Sequence, residues 1–242
     1  MVLRTENLCK SFRGFQALKD VDIELERGKI YGFVGANGAG KTTLMRIICG
    51  MTRADSGTVE LFGESSAGGL EHAREKVGAL IEEPIYYPEL SVRQNLRAMS
   101  LLSGTSSFRD VEEIIGLTDI GGYARKSLRS CSTGMKKRYG VAAALLGKPE
   151  LLVLDEPMSG LDVEGMDEIT ELIKRIVAER GITVLLSSHQ LTRLSKLATD
   201  YIFIDYGRVF LTVDAEQVKN DSIVDGGMDE YFRRITDEVR HG

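Results

Sequence analysis

KIYGFVGANGAGKTTLMRIICG, residues 29–50, decides the fold. Its first six residues are mostly apolar and read as a short buried strand. Its last nine, TTLMRIICG (42–50), carry apolar residues at helical spacing. Between them GANGAGKT (35–42) matches G-x-x-x-x-G-K-[ST]. A strand that turns through glycines into a helix is an anion cradle: loop N–H groups face inward, and the helix start adds roughly half a positive charge. Gly35, Gly38 and Gly40 let the backbone curl, and Ala36, Asn37 and Ala39 complete the loop. Lys41 is placed to reach the outer phosphates of a nucleoside triphosphate. Thr42 is placed to offer its hydroxyl to Mg²⁺, and Thr43 lies in the same first turn. A ligand-free glycine turn accounts for the glycines, but not for a lysine and a hydroxyl straight after the last one.

Working outward, LLVLDEP (151–157) is a four-residue apolar run that ends in two carboxylates. Beside a phosphate loop, an acid at the end of a buried strand serves to hold Mg²⁺. Asp155 is the expected metal holder. Glu156, one residue on, points elsewhere and is the expected group for orienting or deprotonating an attacking water. His189, after ITVLLSS (182–188), ends a further strand, where it is expected to contact the terminal phosphate.

Other short β-type runs are VLRTENL (2–8), TVELF (58–62), VGALI (77–81), YIFID (201–205) and YGRVFLT (206–212). Helical patterns lie between several of them: VEGMDEITELIKRIVAER (163–180) and QLTRLSKLA (190–198). This alternation predicts an α/β fold with a mainly parallel sheet. Residues 85–146 differ. VRQNLRAMSLL, RDVEEIIG and TGMKKRYGVAAALLG read as helices with almost no strand signal, which predicts a helical lobe inserted into the α/β body. GESSAGGL (63–70) reads as a loop and MDEYFRRITDEVR (228–240) as a charged terminal helix. The expected division is a core of 1–84 and 147–212, a lobe of 85–146 and a helical tail of 213–242.

A net charge of −5 argues against nucleic acid as the main partner. Cys9, Cys49 and Cys131 are odd in number and widely spaced, which suggests neither a disulfide framework nor a zinc site, and fits a reducing cytosolic setting. The apolar runs VAAALL (141–146) and LLVL (151–154) are far short of the roughly 20 residues a membrane helix needs, so any service to a membrane runs through a partner.

One octamer, CSTGMKKR (131–138), looks like a second anion-seeking helix start with no ligand of its own. With it, the chain resembles the ATP-binding subunits of ABC transporters along nearly its whole length, motif by motif and in order. GANGAGKTT resembles the Walker A motif and LLVLDEP the Walker B motif. SGLD (159–162) resembles the D-loop, with Asp162 as its acid, and His189 resembles the switch histidine. Phe12 sits where the family stacks an aromatic ring on adenine. CSTGMKKR sits at the LSGGQ signature, with Cys131, Thr133 and Met135 in place of Leu, Gly and Gln, and with Ser132 and Gly134 kept. The resemblance implies a P-loop NTPase core with an N-terminal antiparallel β part, ATP and Mg²⁺ as cofactors, and a head-to-tail dimer. In that dimer Ser132 and Gly134 of one copy close over the ATP of the other. It also implies an integral membrane permease as partner, a cytoplasmic position on the inner face of the membrane, and no nucleic-acid partner.

VGALIEEPIYYPELSVRQNL (77–96) is similar to the family's Q-loop region, with Glu82 where Gln is usual. Glutamate still approaches Mg²⁺ and water, adds a negative charge and loses a donor. PIYYPELSV (84–92) is the expected permease groove, and Arg193 stands where relatives often carry an acid. Glu82, the GMKKR form of the signature and the C-terminal MDEYFRRIT together resemble the bacteriocin, bacitracin and lantibiotic export or immunity branch. The rival reading is a soluble ATPase of the same type acting on DNA or ribosomes. It predicts a long coiled coil or a second such domain, and neither is in the sequence. A P-loop nucleotide kinase would lack the signature and SGLD.

Overall fold

A computed structural model of the chain describes residues 1–104, 107–189, 191–224 and 227–241. Two sheets share the α/β body. Strands β1 (Leu3–Phe12), β2 (Phe15–Leu25) and β4 (Ser56–Leu61) form an antiparallel three-stranded sheet in the order β2-β1-β4. The second sheet has six strands, β5 (Val77–Leu80), β6 (Leu151–Leu154), β7 (Thr183–Ser188), β3 (Ile30–Val34), β8 (Asp200–Asp205) and β9 (Arg208–Asp214), neighbours in that order. All its pairings are parallel except β8 with β9. The fold is therefore α/β with a mostly parallel main sheet and an N-terminal antiparallel one.

β3 and β6 are buried at every residue, as strands covered on both faces must be. One face packs Phe33, Val153 and Leu185 against helix α1 (Lys41–Ile48) and the antiparallel sheet. The other packs Val34, Leu152 and Leu186 with α6 (Val163–Arg180), α7 (Leu191–Leu194) and α9 (Met228–His241). Helices α3 (Val92–Ser103), α4 (Phe108–Leu117) and α5 (Thr133–Ala144) occupy the stretch read as helical, and their apolar residues join this second core.

Four elements differ from the sequence reading. β2 is a full strand with a bulged register, and bulges blur the alternation that reveals strands. GESSAGGL is only half a loop: Ser66 caps α2 (Ala67–Arg74) by accepting from the Gly69 N–H at 3.1 Å, a local bond that outweighs the low helix propensity of two glycines. The helix read at 190–198 is reduced to the four residues of α7 among those described. The tail holds a separate α8 (Ala215–Val224) before α9.

Candidate functional site

β6, β7 and β3 are adjacent and parallel, so their carboxyl ends lie side by side at one edge. Ligand sites in open α/β sheets form at that edge. Asp155 and Glu156 follow β6, His189 follows β7, and the glycine loop follows β3.

The loop is held open by contacts that only glycine permits. At Gly40, φ is +113°, and a Cβ would stand 2.7 Å from the Ala17 carbonyl oxygen on β2. At Gly35 a Cβ would stand 2.4 Å from the Ile204 oxygen on β8. The antiparallel sheet and β8 thus grip the loop from both sides. Gly40 is the N-cap of α1 and offers no side chain, so the first-turn N–H groups of Lys41, Thr42 and Thr43 keep their dipoles facing the loop. Lys41 is 6% exposed. Its ammonium donates to the Gly35 oxygen at 2.6 Å and the Ala36 oxygen at 3.1 Å, and lies 3.8 Å from Glu156 Oε1. Burial lowers its pKa, and the charges of Glu156 and Asp155 oppose that shift.

Asp155 is 3% exposed and accepts two hydroxyl bonds, from Thr42 Oγ1 at 2.8 Å and from Ser187 Oγ at 2.6 Å. Ser187 also accepts from the Glu156 N–H at 2.8 Å. One hydroxyl therefore fixes both acids, and sequence reasoning missed it. The only signal was its place two residues before His189 on β7. Glu156 sits at φ +46°, a left-handed conformation that costs a non-glycine residue free energy. That turn aims its carboxylate away from Asp155, with Oε1 3.1 Å from His189 Nδ1. A carboxylate bonded to a histidine at a strand-end cluster can take a proton from water. Thr42 and Asp155 together offer hard oxygen donors of the kind Mg²⁺ selects, so the residues fit that ion.

Phe12 is about half exposed, pairs with Phe15 across the β1–β2 turn and has Lys10 Nζ 5.2 Å from its ring centre. β2, which follows that turn, is the strand against which Gly40 packs. Glu82 lies just beyond β5, its Oε1 2.8 Å from Arg46 Nη2.

A second groove lies on the same chain. Ser132 caps α5 by accepting from the Met135 N–H at 3.3 Å, and Asp162 caps α6 by accepting from the Gly165 N–H at 2.9 Å. Both helix starts open into one groove with Gly134, Gly160 and Arg138, and Arg138 is tied to Glu168 at 2.7 Å. A Cβ on Gly134 would find only Leu161, at 3.7 Å. Among the described residues, no hydrogen bond or ion pair joins this groove to Lys41 or Asp155.

Residues 18–159, more than half of the chain, match the family model described as ABC transporter. The chain belongs to the ABC transporter family. The bacitracin transport ATP-binding protein BcrA of Bacillus licheniformis is 34% identical over 218 residues, covering 90% of this chain and 71% of that protein. The lantibiotic transport ATP-binding protein SrtF of Streptococcus pyogenes is 34% identical over 220 residues, covering 90% of this chain and 93% of that one. Among solved structures, cbiO1 of Clostridium perfringens, part of the ABC transporter complex cbiONQ, superposes with a TM-score of 0.82 at 27% identity over 99% of this chain and 98% of that one. This ABC protein is an ATP-binding, ATP-hydrolysing transporter subunit, and nothing favours the DNA or ribosome reading. Among the described residues no helix is long and apolar enough to cross a membrane.

Proposed function

We propose that this subunit binds Mg²⁺-ATP between two copies of itself and powers a separate membrane permease. In this reading residues 35–43 and Lys41 hold the triphosphate, and Phe12 stacks on adenine. Thr42, Asp155 and Glu82 address the metal, which supplies neutralisation of phosphate charge when bound. Glu156, steadied by His189, takes the proton of the attacking water.

The observation that carries the dimer is the separation of two anion-facing helix starts on one chain. Only one of them, α1, has a lysine and an acid pair beside it. The signature groove has helix dipoles and hydroxyls but no such pair. A head-to-tail partner supplies what each lacks: Ser132 caps its helix with a lone pair and keeps its proton to donate to a phosphate, and Asp162 and Gly134 border the same groove. The working division is a core of 1–84 and 147–212, a lobe of 85–146 that carries the signature, and a tail of 213–242.

Permease contact is assigned to 84–92. Ile85 is 80% and Tyr87 49% exposed there. Buried Asn95 fixes the segment by donating to the Tyr87, Leu90 and Ser91 carbonyls and accepting from the Tyr87 N–H. The protein then lies at the inner membrane face through its partner and needs no nucleic acid. The relatives named for bacitracin transport and lantibiotic transport support a peptide antibiotic as cargo, and export is the direction proposed with it. Deleting this gene alone is expected to raise sensitivity to bacitracin or a lantibiotic several-fold, restored by wild-type protein and not by Glu156→Gln. Restoration by Glu156→Gln would overturn the reading.

A further inference from the structure

Arg46 stands one helical turn after Thr42 on α1, so both project from the same face. Four residues along a helix advance about 6 Å, and neighbouring strands lie about 4.8 Å apart. That face therefore meets two adjacent strand ends in succession. Thr42 donates to Asp155 after β6, and Arg46 donates to Glu82 after β5. The two strands are paired, and the Asp155 N–H donates to the Leu80 oxygen at 2.8 Å.

Glu82 is held at a second point. Lys137 of α5, 4% exposed, donates Nζ to the Glu82 carbonyl at 3.1 Å and lies 3.5 Å from Glu83 Oε1. Glu82 itself has φ +62°, a left-handed backbone that a glutamate keeps only when its surroundings impose it. Its backbone is pinned by the helix that begins at Ser132, and its carboxylate by the helix that begins at the phosphate loop. The Arg46–Glu82 pair is too exposed to matter much for stability. Its importance lies in where it places charge: Glu82 stands two residues past Leu80, whose carbonyl accepts from the Asp155 N–H, and an unpaired carboxylate at that strand end repels a triphosphate.

We propose that Arg46 is a positioning residue for Glu82, holding its carboxylate against α1 and neutralising it next to the nucleotide. This rests on reading residues 35–43 as the triphosphate cradle. The device lets a glutamate serve at this strand end without weakening ATP binding.

The test is a four-way comparison of ATP KM and kcat for wild type, Arg46→Met, Glu82→Gln and the double variant, at low and high salt. Arg46→Met is expected to raise KM about three- to tenfold with little change in kcat, as one uncompensated negative charge near a triphosphate does. Arg46→Lys keeps KM near wild type. In the Glu82→Gln background the Arg46→Met effect vanishes, and high salt shrinks it in the wild-type background. An equal rise in both backgrounds means Arg46 acts on ATP directly and overturns the proposal, as does an unchanged or lowered KM. A Lys41→Ala control that still turns over at the wild-type rate would instead overturn the triphosphate reading beneath it.

Discussion

The two helix starts that face phosphate in this reading are built in opposite ways. At α1 no side chain caps the helix, the lysine and the aspartate are almost wholly buried, and Asp155 is bonded from two neighbouring elements. At α5 the cap is made by Ser132 itself, the serine is exposed, and the groove it shares with α6 is open. The first site is preorganised to hold charge, since fixed dipoles in a dry pocket need no rearrangement when the ligand arrives. The second carries helix dipoles with no lysine–acid pair beside them, so it suits a ligand already held by something else. A buried site of this kind tolerates almost no substitution, whereas the open one tolerates substitution wherever the phosphate-facing atoms survive. The resemblance drawn from the sequence puts its departures from the usual signature, Cys131, Thr133 and Met135, in this second half.

The harshest trial of the buried half is Lys41→Ala. Its rate of phosphate release is expected to fall by about a hundredfold or more, in line with losing a preorganised charge at a reacting group. Glu156→Gln should fall by a similar factor while still binding ATP, because it removes a proton acceptor and leaves the cradle intact. Turnover within a few-fold of wild type in either variant breaks the claim that this half holds the chemistry. Calorimetric titration with ATP separates lost binding from lost turnover.

The open half is tried by Ser132→Arg, which fills the groove with a long cation. Alone, it should prevent ATP-driven dimers from forming, as read by light scattering. A sharper version mixes it with Lys41→Ala, since each inactive variant keeps what the other has lost. In a head-to-tail pair one composite site is then wholly wild type, and roughly a quarter of full activity at most returns on mixing. If both halves served one site within a single chain, mixing would restore nothing.

This contrast was legible in the sequence to an unequal degree. The glycine loop, the acid pair after LLVL and the alternation of strands and helices are local patterns, and each survives into the fold. Ser187 and Lys137 were not legible, because a serine in a buried strand and a lysine in a basic helix become informative only once neighbouring strands and helices are in register. Arg46 is intermediate. Its four-residue spacing from Thr42 was visible, but its partner Glu82 lies 36 positions away. β2 escaped for a different reason, since its register against β1 shifts three times and no clean alternation remains.

Tyr139→Phe tests a smaller effect, the link between the signature helix and the proposed permease surface. The hydroxyl of this fully buried ring donates to the Ile85 carbonyl at 3.1 Å. Removing it takes that bond away and should cost about 1 kcal/mol, read as a lower urea midpoint. ATP binding by the buried half should be unchanged. A loss of ATP affinity as large as the loss of stability would mean the two halves are not separable.

The weakest effect concerns how the stretch carrying the signature is fastened to the core. At the start of α4 the Ser107 N–H and hydroxyl donate to Asp110, which also pairs with Lys148 at 2.8 Å; Glu113 in the next turn pairs with Arg180 of α6. The Lys148 amine first, then the two Ser107 donors, hold the Asp110 carboxyl well below the usual aspartate range. A carboxyl depressed in the folded state contributes stability that is complete above its ordinary pKa, about 3.9, and is lost as pH falls towards the folded value. Asp110→Asn should therefore unfold at lower urea than wild type at pH 6, with the gap narrowing as pH drops below about 4. A gap that stays constant with pH would mean that Asp110 serves only as a neutral cap. The Lys148 pair would then contribute nothing to holding α4 against the core.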